Sequence, residues 1–215
     1  MSVMSSLCLV LLSSAVAQAN PTSTGSTEAV PRKTVLGLAV NPTDWGQLVL
    51  EGERVVAPRV SVGLGLLVGF HVSNGSRDLE RTEQRLETRD SLFQLGVVPR
   101  ARFFLSGTAP EGLWVSPQLE VIHQWREYEQ FVVEDEGNES SIRSLQLGGA
   151  ALVGYTAILG QGLAVQAGVG VGARHSSDRY ESRQPVLPSG EVSSTTKGRS
   201  WTFDERLQVS LGWAF

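Results

Sequence analysis

Between residues 34 and 215, apolar side chains recur at every second position in eight separate stretches, with turn-forming residues between them. A period of two belongs to a strand, whose successive side chains face opposite sides of a sheet. The stretches are 34–40, 46–55, 60–72, 89–105, 113–126, 141–159, 163–174 and 201–215. The third shows the pattern most fully: Val60, Val62, Leu64, Leu66, Val68, Phe70 and Val72 alternate with Ser61, Gly63, Gly65, Leu67, Gly69 and His71. Eight such segments predict an all-β chain, an eight-stranded antiparallel up-and-down barrel, which also disposes of unpaired sheet edges. Pro99 stands inside the fourth stretch, and a closed sheet has no free edge on which to hide its missing N–H, so a bulge is expected there.

Alternation defines two faces without saying which one meets solvent, and a water-soluble barrel with an apolar interior is the competing arrangement. Composition decides between them. The face opposite the large aliphatic residues is rich in Gly, Ala, Ser and Gln with a few Arg and Glu, whereas a water-facing sheet would be crowded with Lys, Glu and Thr. The chain has only two lysines, Lys33 and Lys197, and neither falls within the eight stretches. Small residues suit the narrow lumen of eight strands, and large aliphatic ones suit lipid, which predicts a transmembrane barrel. Phe103, Tyr155, Trp213 and Phe215 gather at one end of the strands and Phe70, Phe93, Trp125 and Phe203 at the other, as two interfacial girdles require. The connections after strands two, four and six are short. Those after three, five and seven are long and polar, at 73–88, 127–140 and 176–199, while 41–45 is shorter than its rank suggests. Arg77, Arg81, Arg85 and Arg89 are spaced to stripe a helix, but a solvated loop or a strand extension beyond the membrane is the simpler reading. A net charge of -4 provides no basic surplus for a nucleic-acid partner.

At the N-terminus, an apolar run at 7–12 precedes Ala17-Gln18-Ala19, which reads as a signal peptide over 1–19 cut before Asn20. That run is too short to cross a bilayer as a helix, which takes about 20 residues. The only cysteine, Cys8, lies within it, so the mature chain has no disulfide and must be stabilised otherwise. Residues 20–33, rich in Ser, Thr, Pro and Gly, form a flexible lead-in to a barrel domain at 34–215. At the other terminus, Phe203, Leu207, Val209, Leu211, Trp213 and Phe215 share one strand face and the chain stops on the aromatic residue. This stretch resembles the closing strand of small eight-stranded bacterial outer-membrane β-barrel proteins. The resemblance implies a porin-like monomer in the outer membrane of a Gram-negative cell, with outer-membrane lipid around it and both chain ends in the periplasm. It also implies that Leu211, Trp213 and Phe215 form the signal read by the barrel assembly machinery.

Seven charges fall on the lumen face: Glu51, Glu53, Arg100, Arg102, Glu120, Arg126 and Arg206. Enclosed charges need partners, so they are expected to pair into a network that plugs the barrel, the alternative being a narrow gated channel. Gly63, Gly65 and Gly69, like Gly168, Gly170 and Gly172, are spaced two apart along strands, whereas a dinucleotide fingerprint needs glycines in the turn that opens a helix; no cofactor is expected. His71 is predicted to face inward and His123 and His175 outward, which does not assemble a metal site. The acidic run at 134–139 reads as a solvated loop. His175 and Ser177 look like the nucleophile pair of the lipid A deacylase family, whose barrel also has eight strands. That resemblance implies a lipid-modifying esterase and requires an acid, with Glu181 and Glu191 nearby and Glu205 sharing the outward parity of the pair. The expected function is a structural or surface-interaction barrel working through its extracellular loops, without a catalytic site. The channel and the lipid A-modifying enzyme are the alternatives.

Overall fold

A computed structural model describes residues 32–41, 46–78, 85–132, 138–186 and 190–215. Eight antiparallel strands run through them: β1 (Thr34–Val40), β2 (Gln47–Ala57), β3 (Val60–Asp78), β4 (Arg85–Phe104), β5 (Gly112–Val132), β6 (Asn138–Leu159), β7 (Leu163–Val186) and β8 (Gly190–Ala214). Each pairs with its sequence neighbours, and β8 returns to β1 to close the barrel. Closure reaches the last residue. Phe215 N–H donates to the Thr34 carbonyl at 2.9 Å, and the Phe215 carbonyl accepts from the N–H groups of Lys33 and Thr34, each at 3.0 Å.

The strands lengthen from 7 residues in β1 and 11 in β2 to 24 in β7 and 25 in β8. A bilayer crossing takes about 9–11 tilted residues, so β3 to β8 continue well past it. This corrects the long loops expected at 73–88, 127–140 and 176–199. β3 and β4 pair as far as Asp78↔Arg85, β5 and β6 as far as Gln130↔Asn138, and β7 and β8 as far as Val186↔Gly190. Lys197, expected outside the strands, lies on β8 opposite Arg179. A ladder needs only backbone N–H and C=O groups, and where both faces meet water the side chains lose the apolar contrast that marks a strand in sequence. The signal peptide, nearly all of the lead-in, the first connection at 42–45, Arg81 of the arginine stripe and 134–137 of the acidic run lie outside the described residues.

The bulge expected at Pro99 is absent. β4 and β5 hold one register through Val97↔Val121, Arg100↔Gln118 and Phe103↔Val115, while Leu64 pairs with Pro99 on the other side. The same register brings Pro99 level with Leu119 and Pro117 level with Ala101, so both residues lacking an N–H share the β4–β5 seam. The ladder omits rungs there and keeps its alignment. Paired lapses on one seam cost local hydrogen bonds but do not turn any side chain to the wrong face.

The interior also differs from a lumen of small and polar residues. Leu67, Val98 and Ile122 pack together at mid-height, and Phe104, Ala109, Trp114, Ala150 and Leu152 form a second cluster near the short turns. Trp114 is 1% exposed and its Nε1 donates to Thr156 Oγ1 at 2.9 Å. Gly168 makes room for the ring, since a Cβ there would lie 2.7 Å from Trp114 Cη2. Gly168→Ala is therefore expected to destabilise the barrel by about 1–3 kcal/mol in urea unfolding, and by less in a Trp114→Phe background. An equal cost in both backgrounds would show that the indole is not the obstacle.

Candidate functional site

The inner face of β2 and β4 carries the first of two charge clusters. Glu51 and Glu53 are two residues apart on β2, as are Arg100 and Arg102 on β4, and β3 runs between the two strands. The guanidinium groups cross β3 because Gly63 and Gly65 present no side chain. A Cβ on Gly65 would lie 2.8 Å from Arg100 Nη2. Arg100 Nη1 stands 2.6 Å from Glu51 Oε1, close as an ion pair though not aligned as a hydrogen bond. Arg102 pairs through Nη1 with Glu53, which also accepts from the Ser61 hydroxyl, and Arg102 Nη2 lies 3.8 Å from Glu51. The buried Arg102 guanidinium rests 4.6 Å above the Trp114 ring, a cation–π contact. Gln208 Nε2 donates to Glu51 Oε1 at 2.6 Å.

The second cluster joins β5, β7 and β8. Glu120 Oε2 accepts from Arg206 Nη2 at 2.7 Å and lies 3.4 Å from Arg174 Nε. Asp204 Oδ2 accepts from Arg174 Nη2 at 3.0 Å and lies 3.2 Å from Arg206 Nε. Two guanidiniums and two carboxylates thus alternate around a ring, each charge facing the opposite sign. From Arg174 a belt of amides runs back across the wall. Arg174 Nη1 donates to Gln146 Oε1 at 3.2 Å, and Gln146 and Gln94 both donate to Gln124 Oε1, at 2.9 and 3.1 Å. Gln47 donates to Gln94 Oε1 at 2.8 Å. A cavity of about 60 Å³ touches both clusters at Glu51, Arg100, Glu120 and Arg206. At roughly 10–15 Å³ for each water, it has room for a few molecules.

Six of the seven charges expected on the lumen face, Glu51, Glu53, Arg100, Arg102, Glu120 and Arg206, meet in these clusters. Arg126 does not. It keeps inward parity, but β5 continues six residues past it, and its side chain is 45% exposed. There it donates to Asp90 through Nε at 2.8 Å and through Nη2. Asp90 lies beyond the girdle residue Phe93, and the hydrogen bond from Arg126 holds its carboxyl below the usual carboxylate range. Arg174 and Asp204 complete the second cluster. Both stand at inward positions by alternation, so the sequence marked their face without marking their partners.

His175, Ser177 and Glu205 occupy the outward parity of β7 and β8 but do not converge. His175 is opposite Trp201, with ring centroids 5.0 Å apart, and its buried Nδ1 has no hydrogen-bond partner among the described residues. Ser177 is opposite Arg199 and Glu205 is opposite Val171, which leaves the carboxylate four residues along the ladder from His175, about 13 Å. His123 likewise lies against Trp125 on the outer face, with ring centroids 4.1 Å apart. No group of ligating side chains able to hold a metal occurs among the described residues.

The outer face is largely apolar, with Glu205 a charged residue on it. Leu36, Leu50, Leu66, Leu95, Leu119, Leu147 and Val171 are all exposed, as are the aromatic residues at both ends, Phe103, Tyr155, Trp213 and Phe215 at one and Phe70, Phe93, Trp125 and Phe203 at the other. Leu211, Trp213 and Phe215 stand exposed along the closing strand. An apolar surface of this extent is far beyond the few hundred Å² of the largest patch on a typical soluble monomer; it is the surface of an outer-membrane-type barrel, an apolar band between two aromatic girdles.

No protein-family model matches the chain, and no curated protein matches it in sequence. Among solved structures it is similar to a major outer membrane protein from Thermus thermophilus, at 18% identity and a TM-score of 0.47, covering 86% of this chain and 100% of that one. It is also similar to CarO of Acinetobacter baumannii, at 14% identity and a TM-score of 0.45, covering 86% of this chain and 98% of that one. CarO2 of the same organism is similar at 11% identity and a TM-score of 0.44, covering 86% of this chain and 99% of that one.

Proposed function

We propose that this chain resides in a bacterial outer membrane as a barrel with a closed lumen, and that it acts through the strand extensions it presents to the surroundings. The observation that carries this reading is the pairing of buried charges across the bore. Arg100 and Arg102 reach from β4 to β2, and Arg206 reaches from β8 to Glu120 on β5. Charges paired with one another are poor stepping stones for a passing ion, because each would have to leave its partner first. The Trp114 and Phe104 layer adds an apolar barrier near the short turns. The extensions of β3 to β8 carry polar residues on both faces, as segments in water do, and offer a surface for recognition.

Planar-bilayer recording tests the closed lumen. The purified barrel, shown to be folded by its heat-dependent gel mobility, is expected to give no steady single-channel steps. Large, stable steps that change with Arg100→Gln or Glu120→Gln would establish a channel through the same residues.

A further inference from the structure

We propose that the outward face of β6, β7 and β8 binds a phosphate-bearing lipid of the outer leaflet, holding the phosphate with Arg143, Arg179, Lys197 and Arg199. The inference rests on the reading of the barrel as membrane-resident, and it assigns a specific lipid site to that surface.

The register is the first observation. Arg143 on β6 is directly opposite Arg179 on β7, and Arg179 is directly opposite Lys197 on β8. Directly opposed residues share a face with Cβ atoms about 5 Å apart, and like charges so placed repel. Alternation from the exposed outward residues Leu145, Trp201 and Phe203 sets all four cations outward. None of the four has an ion-pair or hydrogen-bond partner among the described residues. Two outward carboxylates flank them, Glu127 and Glu181, without pairing with them, so the patch keeps an excess of positive charge. Three adjacent strands thus hold a row of cations whose repulsion an anion would relieve. A phosphate is suited to it, since guanidinium groups bind phosphate oxygens through paired N–H donors.

The surroundings of the row select a lipid over a soluble anion. A polar hollow of about 490 Å³ opens among Ser177, Asp178, Arg179, Lys197, Gly198 and Arg199, with the Asp178 carboxylate accepting from the Ser144 and Tyr180 hydroxyls. Toward the membrane from it come Trp201 and His175, residues suited to the boundary between headgroups and hydrocarbon. Beyond them on the same strands lies an apolar groove of about 690 Å³, where Gly149, Ala151 and Ala173 let the surface recede between Val171 and Phe203. Ala173 in the groove and Arg179 at the hollow are six residues apart on β7, about 20 Å along the strand. The order is that of an amphiphile: phosphate at the hollow, interface at Trp201, acyl chain in the groove. Glu205 borders the groove and supplies an acceptor for a hydroxyl or amide donor carried at that depth.

The test uses the full barrel in phosphatidylcholine nanodiscs, titrated with diphosphoryl lipid A or its dephosphorylated form and read by native mass spectrometry. The phosphorylated lipid is expected to bind at least about tenfold more tightly, and R143Q/R179Q/K197Q/R199Q to lose about that factor. A control removing equal charge elsewhere, K33Q/R54Q/R59Q/R89Q, is expected to bind as the wild type does. Ala173→Trp fills the groove, leaves every charge in place, and is expected to weaken binding several-fold. Millimolar inorganic phosphate should not displace the lipid. Equal binding of the dephosphorylated lipid, or equal losses in the two quadruple variants, would overturn the proposal. Displacement by inorganic phosphate would assign the row to a soluble anion instead. Heat-dependent mobility of every variant separates these results from failure of the membrane reading, which would appear as a wild-type chain that does not enter the bilayer as a barrel.

Discussion

Glu53→Ala is expected to cost about 3–5 kcal/mol of unfolding free energy, because it strips a buried cation of its counter-charge. Arg102 is 1% exposed, and its closest carboxylate is Glu53. Glu51, 3.8 Å away, is already engaged by Arg100 and Gln208, so one carboxylate would be left to serve two guanidiniums. The Trp114 face beneath Arg102 offers about 0.5–2 kcal/mol, too little to replace an ion pair. Urea unfolding in lipid vesicles, followed by heat-dependent gel mobility, provides the measurement. Removing both charges in Glu53→Leu with Arg102→Met should recover most of the loss, since replacing a whole buried pair with apolar groups of similar volume is often neutral or better. A double variant as unstable as the single one would show that the cost is one of packing around Trp114 and not of an orphaned charge.

Leu66→Arg is expected to cost about 2–4 kcal/mol, and Val62→Arg on the same face only about 0–1 kcal/mol, because the penalty for a charge facing lipid falls from the midplane to the interface. The exposed row on β3 runs from Val62 through Leu64, Leu66, Val68 and Phe70 to Val72, which puts Leu66 near its middle and Val62 at its edge. Leu66 is flanked by Leu50 and Val97, so no neighbouring carboxylate is at hand. The arginine head would have to snorkel past several apolar neighbours to reach water. Unfolding free energies of the two variants in the same vesicles decide the matter. Equal tolerance at both positions would mean that this face does not meet hydrocarbon.

The two variants also mark where sequence reading succeeds. That Leu66 and Glu53 belong to opposite faces follows from counting by twos, because strand geometry alternates whatever the rest of the fold does, and composition tells which of the two faces is outside. The pairing of Glu53 with Arg102 does not follow, since it depends on β4 being two strands away across Gly63 and Gly65, a distance of 49 residues in the chain. Arg126 shows the opposite case. Its inward parity was legible, but its exposure was decided by how far β5 runs on beyond it.

Eight strands and the two faces of each were legible because alternation and turn residues are local properties of the chain, while the closing role of the last residues came from their resemblance to the closing strand of outer-membrane barrels. How far the strands extend, which inward charges meet, and that Trp114 and Ile122 fill space beside them emerge from contacts between strands. Extension past the membrane leaves no apolar contrast to read, and partners across a bore are chosen by register and by the room that glycines leave. The row of Arg143, Arg179 and Lys197 arises in the same way. Each is an unremarkable polar residue in its own segment, and they become one site only because three ladders set them side by side.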